Sequence, residues 1–327
     1  MTSRELVHLA IARQHPSRLP INYCNRDFEW SDTVGLGWAP AKGFQPARPG
    51  LTEWGYEWQR LDDTMGQPGA RPLADWAAFD RYRPPDPYAP GRLDHLPAAA
   101  REHDGKFLKF SVGISGFNQA TFLRGFEEFL MDLYAAPERA AAVLDLVFGF
   151  ENAILRQLDR IPADAVAFAD DWGTQRGLII RPELWRQVFR PRYAEQFNLV
   201  HAAGKKVWFH TCGNVWDIIG DLVEIGVDVL ELLQPDVFGV ERLAAEYAGK
   251  VCFCCAIDHQ RRAISGTREE IFEYAARLRD RLGSGGGGFI AYVEDYASLG
   301  MDEQHYQWVR QAFHRLNGTV LPGTADG

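Results

Sequence analysis

His210 and Cys212 stand two residues apart where the apolar run KVWFH ends. On a strand, residues at that spacing share a face. An imidazole nitrogen and a thiolate sulfur aimed at one point suit Zn²⁺, and a catalytic zinc site takes three protein donors and keeps a fourth position open. Cys254, Cys255, Glu294 and Asp295 close other apolar runs and are candidates for the third donor. A metal-free use of the pair is also open. Cys212 precedes a helical pattern, a helix N-terminus favours thiolate, and His210 would act as its base. The plain alternative is a His and a Cys that merely line a rim. A second group of interest is Asp170-Asp171, after the apolar run DAVAFAD. Adjacent carboxylates repel, which raises one pKa and suits acid/base work. Otherwise one acid faces inward and the other faces outward to cap a helix.

These groups need elements to position them. From residue 106 onward, short apolar runs alternate with helical patterns. KFLKFSV, DAVAFAD, KVWFH, VDVLEL, KVCFCC and GFIAYV predict strands, and LPINYC near the start adds a seventh. An eighth is supposed in the first third. Helices are predicted over about 119–134 and 137–160, from Pro182 with a kink at Pro191, after Asn214 as N-cap, and after the capping box Thr267–Glu270. Repeated βα units mean a parallel sheet, and eight of them close a barrel. No G-x-G-x-x-G follows the first strand, so a dinucleotide fold has no specific support. GSGGGG (283–288) has no following Lys-Ser/Thr and reads as a helix-to-strand loop. In a βα barrel, working residues sit at the C-terminal ends of strands. Those ends hold Asn22, Tyr23, Cys24 and Arg26; Asp170, Asp171 and Trp172; His210 and Cys212; Glu231 and Gln234; Cys254 and Cys255; and Tyr292, Glu294 and Asp295.

The first third is different. Residues 1–105 hold 12 of the 18 prolines, and they read as a first strand plus a covering segment over the regular units of 106–320. The whole, 1–327, is read as one domain. In EWGYEWQR, Trp54, Tyr56 and Trp58 alternate on one face, which predicts a strand whose aromatic stripe is either core or a pocket wall. A net charge of -9 argues against a nucleic-acid partner. No apolar run is long enough to span a membrane, no secretory leader is visible, and five cysteines in an uneven spread are no disulfide framework. The expected location is the cytoplasm.

Four stretches resemble the uroporphyrinogen decarboxylase superfamily: DDWGTQRGLIIRPELWRQVFRPRYAEQF, HAAGKKVWFHTCGN, DLVEIGVDVLELLQPD and FCCAIDHQRRAISGT. The resemblance implies a (β/α)8 barrel and one of two chemistries. One is metal-free decarboxylation of a tetrapyrrole. The other is zinc-dependent methyl or alkyl transfer, often between a corrinoid protein and a thiol. His210 and Cys212 match the His-x-Cys pair of the transferases, whose later cysteine is replaced here by Glu294 or Asp295. The arginine-rich stretch of the decarboxylases is absent; INYCNRDF stands there, with Arg26 alone. The resemblance therefore implies a zinc-dependent transferase acting on a small substrate. Zinc would be held by His210, Cys212 and a third ligand. Asp170 or Asp171 would orient substrate or move a proton, and Asn22, Tyr23, Trp54, Trp172, Gln234 and Tyr292 would shape the pocket. The alternatives are a decarboxylase or lyase in which Arg26 grips a carboxylate, and a barrel that binds a small ligand or a corrinoid partner without catalysis. A homodimer is an expectation of the fold.

Overall fold

Each apolar run that ends in a turn and precedes an amphipathic helix becomes one strand of a parallel sheet, because only helices on its outer face can cover it. The structure, a computed structural model, describes residues 1–60 and 66–321. Eight strands build the sheet: β1 (Ile21–Cys24), β2 (Thr33–Gly37), β3 (Phe107–Ile114), β4 (Ala165–Ala169), β5 (Lys206–His210), β6 (Val229–Leu232), β7 (Cys252–Ala256) and β8 (Phe289–Glu294). Their order is β1-β8-β7-β6-β5-β4-β3-β2, all parallel, so the sheet curls into a nearly closed (β/α)8 barrel. The supposed eighth strand is TVGLG, in the irregular first third.

Among the described residues, twelve helices surround it. They are α1 (Ser3–Ala12), α2 (Leu96–Glu102), α3 (Gly116–Arg124), α4 (Phe126–Ala135), α5 (Pro137–Leu155) and α6 (Pro182–Val188). Then come α7 (Arg190–Ala202), α8 (Trp216–Glu224), α9 (Val240–Tyr247), α10 (Arg262–Ser265), α11 (Arg268–Leu282) and α12 (Glu303–Leu316). Pro191 breaks the pattern between α6 and α7 at Phe189, as its missing N–H requires. The outward side chains of β4 and β5 pack on α7, with Phe168 against Phe197 at 5.3 Å and Phe209 against Tyr193 at 5.4 Å. Each such buried aromatic contributes about 2–3 kcal/mol of transfer free energy. Among the described residues, no helix is long and apolar enough to cross a membrane.

Two expectations are corrected. EWGYEWQR is not one strand: Gly55 turns the chain at φ +85°, Glu57 makes an isolated antiparallel bridge to Leu51, and Trp58–Gln59 pair with Gln67–Pro68. Asn214 is not the N-cap of α8, which starts one residue later, behind Val215; its Oδ1 accepts instead from the Trp216 amide at 3.2 Å.

One connection shapes the barrel unusually. The chain returns from the end of β1 to the start of β2 in residues 25–32, with only the 3₁₀ turn Phe28–Trp30 and no helix. Asn25 and Asp27 reverse it from left-handed backbone, and the Asp32 amide bonds the Ile21 carbonyl at 2.7 Å. β1 and β2 are the two ends of the sheet and share no register.

Candidate metal centre

Alternation decides what reaches the barrel interior. With Phe209 outward, Trp208 and His210 of β5 point inward. Register sets Ala169 of β4 and Glu231 of β6 on either side of His210. Asp171 and Cys212, each two residues further along, stand on the rim above. The two rim loops are tied backbone to backbone: the Gly173 amide donates to the Cys212 carbonyl at 3.0 Å and the Asn214 amide to the Thr174 carbonyl at 2.7 Å. The approach admits no side chain. A Cβ on Gly213 would lie 2.2 Å from the Gly173 carbonyl oxygen, and Gly213 holds φ +74°.

This clamp brings three unlike donors together. His210 Nε2 lies 3.5 Å from Cys212 Sγ and 3.5 Å from Asp171 Oδ1. The Cys212 amide donates to Asp171 Oδ1 at 2.9 Å and fixes that carboxylate. The three donor atoms fall within 4.8 Å of one another, and among the described residues no other trio of His, Cys, Asp or Glu does so. Donors at about 2.0–2.3 Å from a tetrahedral zinc are separated by roughly 3.3–3.8 Å, so the spacing fits the ion. Carboxylate, imidazole and thiol are the ligand types zinc takes, and all three are partly exposed, which leaves a side open.

Glu231 stands behind the imidazole. Its Oε1 lies 2.9 Å from His210 Nδ1, and its Oε2 accepts from Trp208 Nε1 at 2.6 Å. Glu231 takes up Nδ1, which leaves Nε2 as the ring atom facing the other two donors. Burial alone lowers the His210 pKa, but bonding to Asp171, Cys212 and Glu231 outweighs it and raises the imidazole well above its ordinary value. Burial raises the Glu231 carboxyl, yet His210 and the Lys109 ammonium carry it below its ordinary value. Burial pushes the Cys212 thiol up, with His210 partly offsetting it. Glu231→Gln is expected to keep the fold and weaken zinc binding about 10–100-fold, the effect of losing an outer partner of a metal-bound histidine. Competition with a chromophoric chelator measures this; an unchanged zinc affinity would remove Glu231 from the site.

The structure separates the two aspartates. Asp171 joins the cluster, whereas Asp170 faces outward, fully buried, and accepts from the Phe117 and Asn118 amides at the start of α3. It is a helix-capping group, away from the cluster. Trp172 is likewise sealed in the helix layer, stacked on Phe117 at 4.5 Å, and offers no surface to a substrate. Trp54 meets Phe150 of α5 edge-on at 5.0 Å and is core. Tyr23 points outward to His314 at 2.8 Å. Arg26 is held by Asp295 and Glu303, both at 2.9 Å, so neither Arg26 nor Asp295 turns to the cluster. Cys254 and Cys255 are fully buried within β7, burial pushing both thiols up, and neither joins the trio. Glu294 faces inward on β8 and accepts from the Tyr292 hydroxyl at 2.8 Å. Gln234 meets His259 at 3.2 Å, and Asn22 accepts from Lys109 at 2.9 Å.

Reading the sequence left Glu231 without a role and passed over Lys109, Gly173 and Gly213. The signal for the first two was present: each is a charge inside an otherwise apolar run, at an inward position. The glycine clamp depends on contact between loops 40 residues apart and leaves no local trace.

The sequence matches the uroporphyrinogen decarboxylase family over residues 63–316. In fold the chain is similar to a methyltransferase from Methanosarcina mazei, with a TM-score of 0.69 at 13% identity, covering 97% of this chain and 99% of that one. A 3-keto-D-glucoside 4-epimerase from E. coli is more distant, with a TM-score of 0.43 at 14% identity over 69% of this chain and 86% of that one. No curated protein matches the chain at a significant level.

Proposed function

We propose that this chain, which belongs to the uroporphyrinogen decarboxylase family, is a zinc-dependent methyl- or alkyltransferase that joins the group to a small thiol, with a corrinoid protein as its carrier. One observation carries the reading: Asp171, His210 and Cys212 converge on a half-open point, with Glu231 fixing the imidazole behind them. The barrel shared with the Methanosarcina methyltransferase supports it. Asp171, His210 and Cys212 would hold the metal. Zinc bound there would supply a Lewis acid that keeps an incoming thiol in its thiolate form at neutral pH.

The chain's own groups do the rest. Glu231 keeps the Nε2 lone pair of His210 aimed at the shared point, and the Cys212 amide keeps Asp171 from swinging into solvent. Glu294, raised by burial and held by the Tyr292 hydroxyl, would take up the proton the thiol loses. The metal-free decarboxylase has less support. It needs an arginine free to grip a carboxylate, and Arg26 is engaged by three acids, Asp27, Asp295 and Glu303.

Free methylcobalamin incubated with a panel of small thiols tests the reading. Loss of the methyl–cobalt absorbance together with a methyl thioether in the mass spectrum, both dependent on zinc, is expected. Carbon dioxide released from a carboxylate panel, with no thioether formed, would replace it with the lyase.

A further inference from the structure

A βα barrel normally fills its interior with layers of side chains. This one does not fill the seam between β1 and β2. The residues of β2 that face inward are Thr33, Gly35 and Gly37, and a Cβ added at Gly35 would meet nothing within 4 Å. The space is a cavity of about 660 Å³. Small-ligand sites occupy roughly 300–1,000 Å³. It is bordered by Phe28 and Glu29 of the turn between β1 and β2 and reaches Asn22, Lys109 and Tyr292 inside. Phe28, large and apolar, lies 57% exposed over the opening. Lys109 points into the barrel from β3 and is still partly exposed, because the cavity reaches it.

The chemistry of the wall selects a ligand. The Lys109 ammonium donates to Asn22 at 2.9 Å and lies over the Trp208 ring at 4.3 Å. With three N–H groups, it keeps one for the cavity. Nearer the mouth, Lys106 bonds the carbonyls of Glu29 and Ser31 and also keeps one. Glu231, the acid of the inner wall, has both oxygens engaged by His210 and Trp208. The groups with a free N–H are Lys109 and Lys106, on an otherwise mostly apolar wall that also carries the exposed Glu29 at its mouth.

We propose that the seam is a binding site for a small organic carboxylate with an apolar body. The ligand enters between β1 and β2 and seats its carboxylate on Lys109. Its body rests against Val34, Tyr292 and Phe28. The site needs no metal at His210, although Glu231 and Tyr292 border both it and the cluster.

Benzoate is the probe, with benzamide as its neutral counterpart, titrated calorimetrically into the full chain at neutral pH after treatment with a chelator. Saturable binding of benzoate is expected, with benzamide weaker by about tenfold or more for want of the charge-assisted bond. Gly35→Leu fills the seam beside Lys109 on ordinary backbone and is expected to abolish binding. Lys109→Met should weaken it by about tenfold or more. Should that variant unfold for want of a cation near Glu231, Gly35→Leu still decides. Equal binding of the two probes, undiminished binding by Gly35→Leu, or benzoate binding only to the zinc-loaded protein would each overturn the site.

Discussion

Purified without added zinc, the wild-type chain is expected to carry about one equivalent of the metal and Cys212→Ser to carry none. His210→Ala should lose it too. The reason is the donor count. Three protein ligands are the fewest that hold a catalytic zinc, so removing one leaves two, and the deficit exceeds the roughly 10–100-fold that an outer partner is worth. Cys212→Ser is the cleaner variant, because the thiol's hydrogen-bond partners are the cluster's own His210 and Asp171. His210→Ala also strips the buried Glu231 carboxylate of its main partner and costs stability. Elemental analysis of each protein, with thermal unfolding beside it, gives both numbers. A folded Cys212→Ser that keeps its equivalent of zinc, or a wild-type chain that takes up none when zinc is supplied, would end the metal reading. So would loss of zinc from Asp295→Asn or Cys254→Ser alone, since neither residue reaches the cluster.

The sequence made the His-x-Cys pair legible because a strand's period of two is geometric and local: whatever the fold, His210 and Cys212 share a face. The barrel was legible for a similar reason. Each apolar run with its following amphipathic stretch declares one βα unit, and enough of them leave few ways to close. The third donor is a different kind of fact. Asp171 reaches His210 because Ala169 and His210 are in register and because Gly173 meets Gly213 with no room for a Cβ. Register and loop contact are properties of the assembled sheet. Cys254 and Cys255 were attractive as soft donors near a strand end, but β7 ends at Ala256, so both sit within the strand, where burial rather than chemistry sets their state. The seam at β2 was illegible for the opposite reason. TVGLG looks like a poor strand, and only the barrel turns its glycines into empty space.

The sharpest division the structure makes is between neighbours. Asp170→Ala is expected to destabilise the chain by about 4 kcal/mol, whereas Asp171→Ala should stay within about 1 kcal/mol of wild type and lose its zinc. Asp170, itself fully buried, accepts from the Phe117 amide at 2.7 Å, the Asn118 amide at 2.8 Å and the Tyr193 hydroxyl. Alanine leaves those donors unpaired in a dry layer, at about 1–3 kcal/mol each. Nothing nearby can move in to replace the carboxylate. Gly116 is so close that a Cβ there would lie 2.3 Å from Asp170 Oδ2, and the next acid, Glu151, is already bonded to the Gly116 amide and to Gln196. Asp171, by contrast, has 46% of its side chain in solvent. Its loss frees the Cys212 amide at the rim, which water can satisfy, and takes one partner from His210, which keeps Glu231. Urea unfolding and zinc analysis of the two variants, side by side, read the difference. Equal destabilisation by both, or zinc lost equally from a well-folded Asp170→Ala, would mean that the adjacent acids share one role and that the outward turn of Asp170 does not govern what it does.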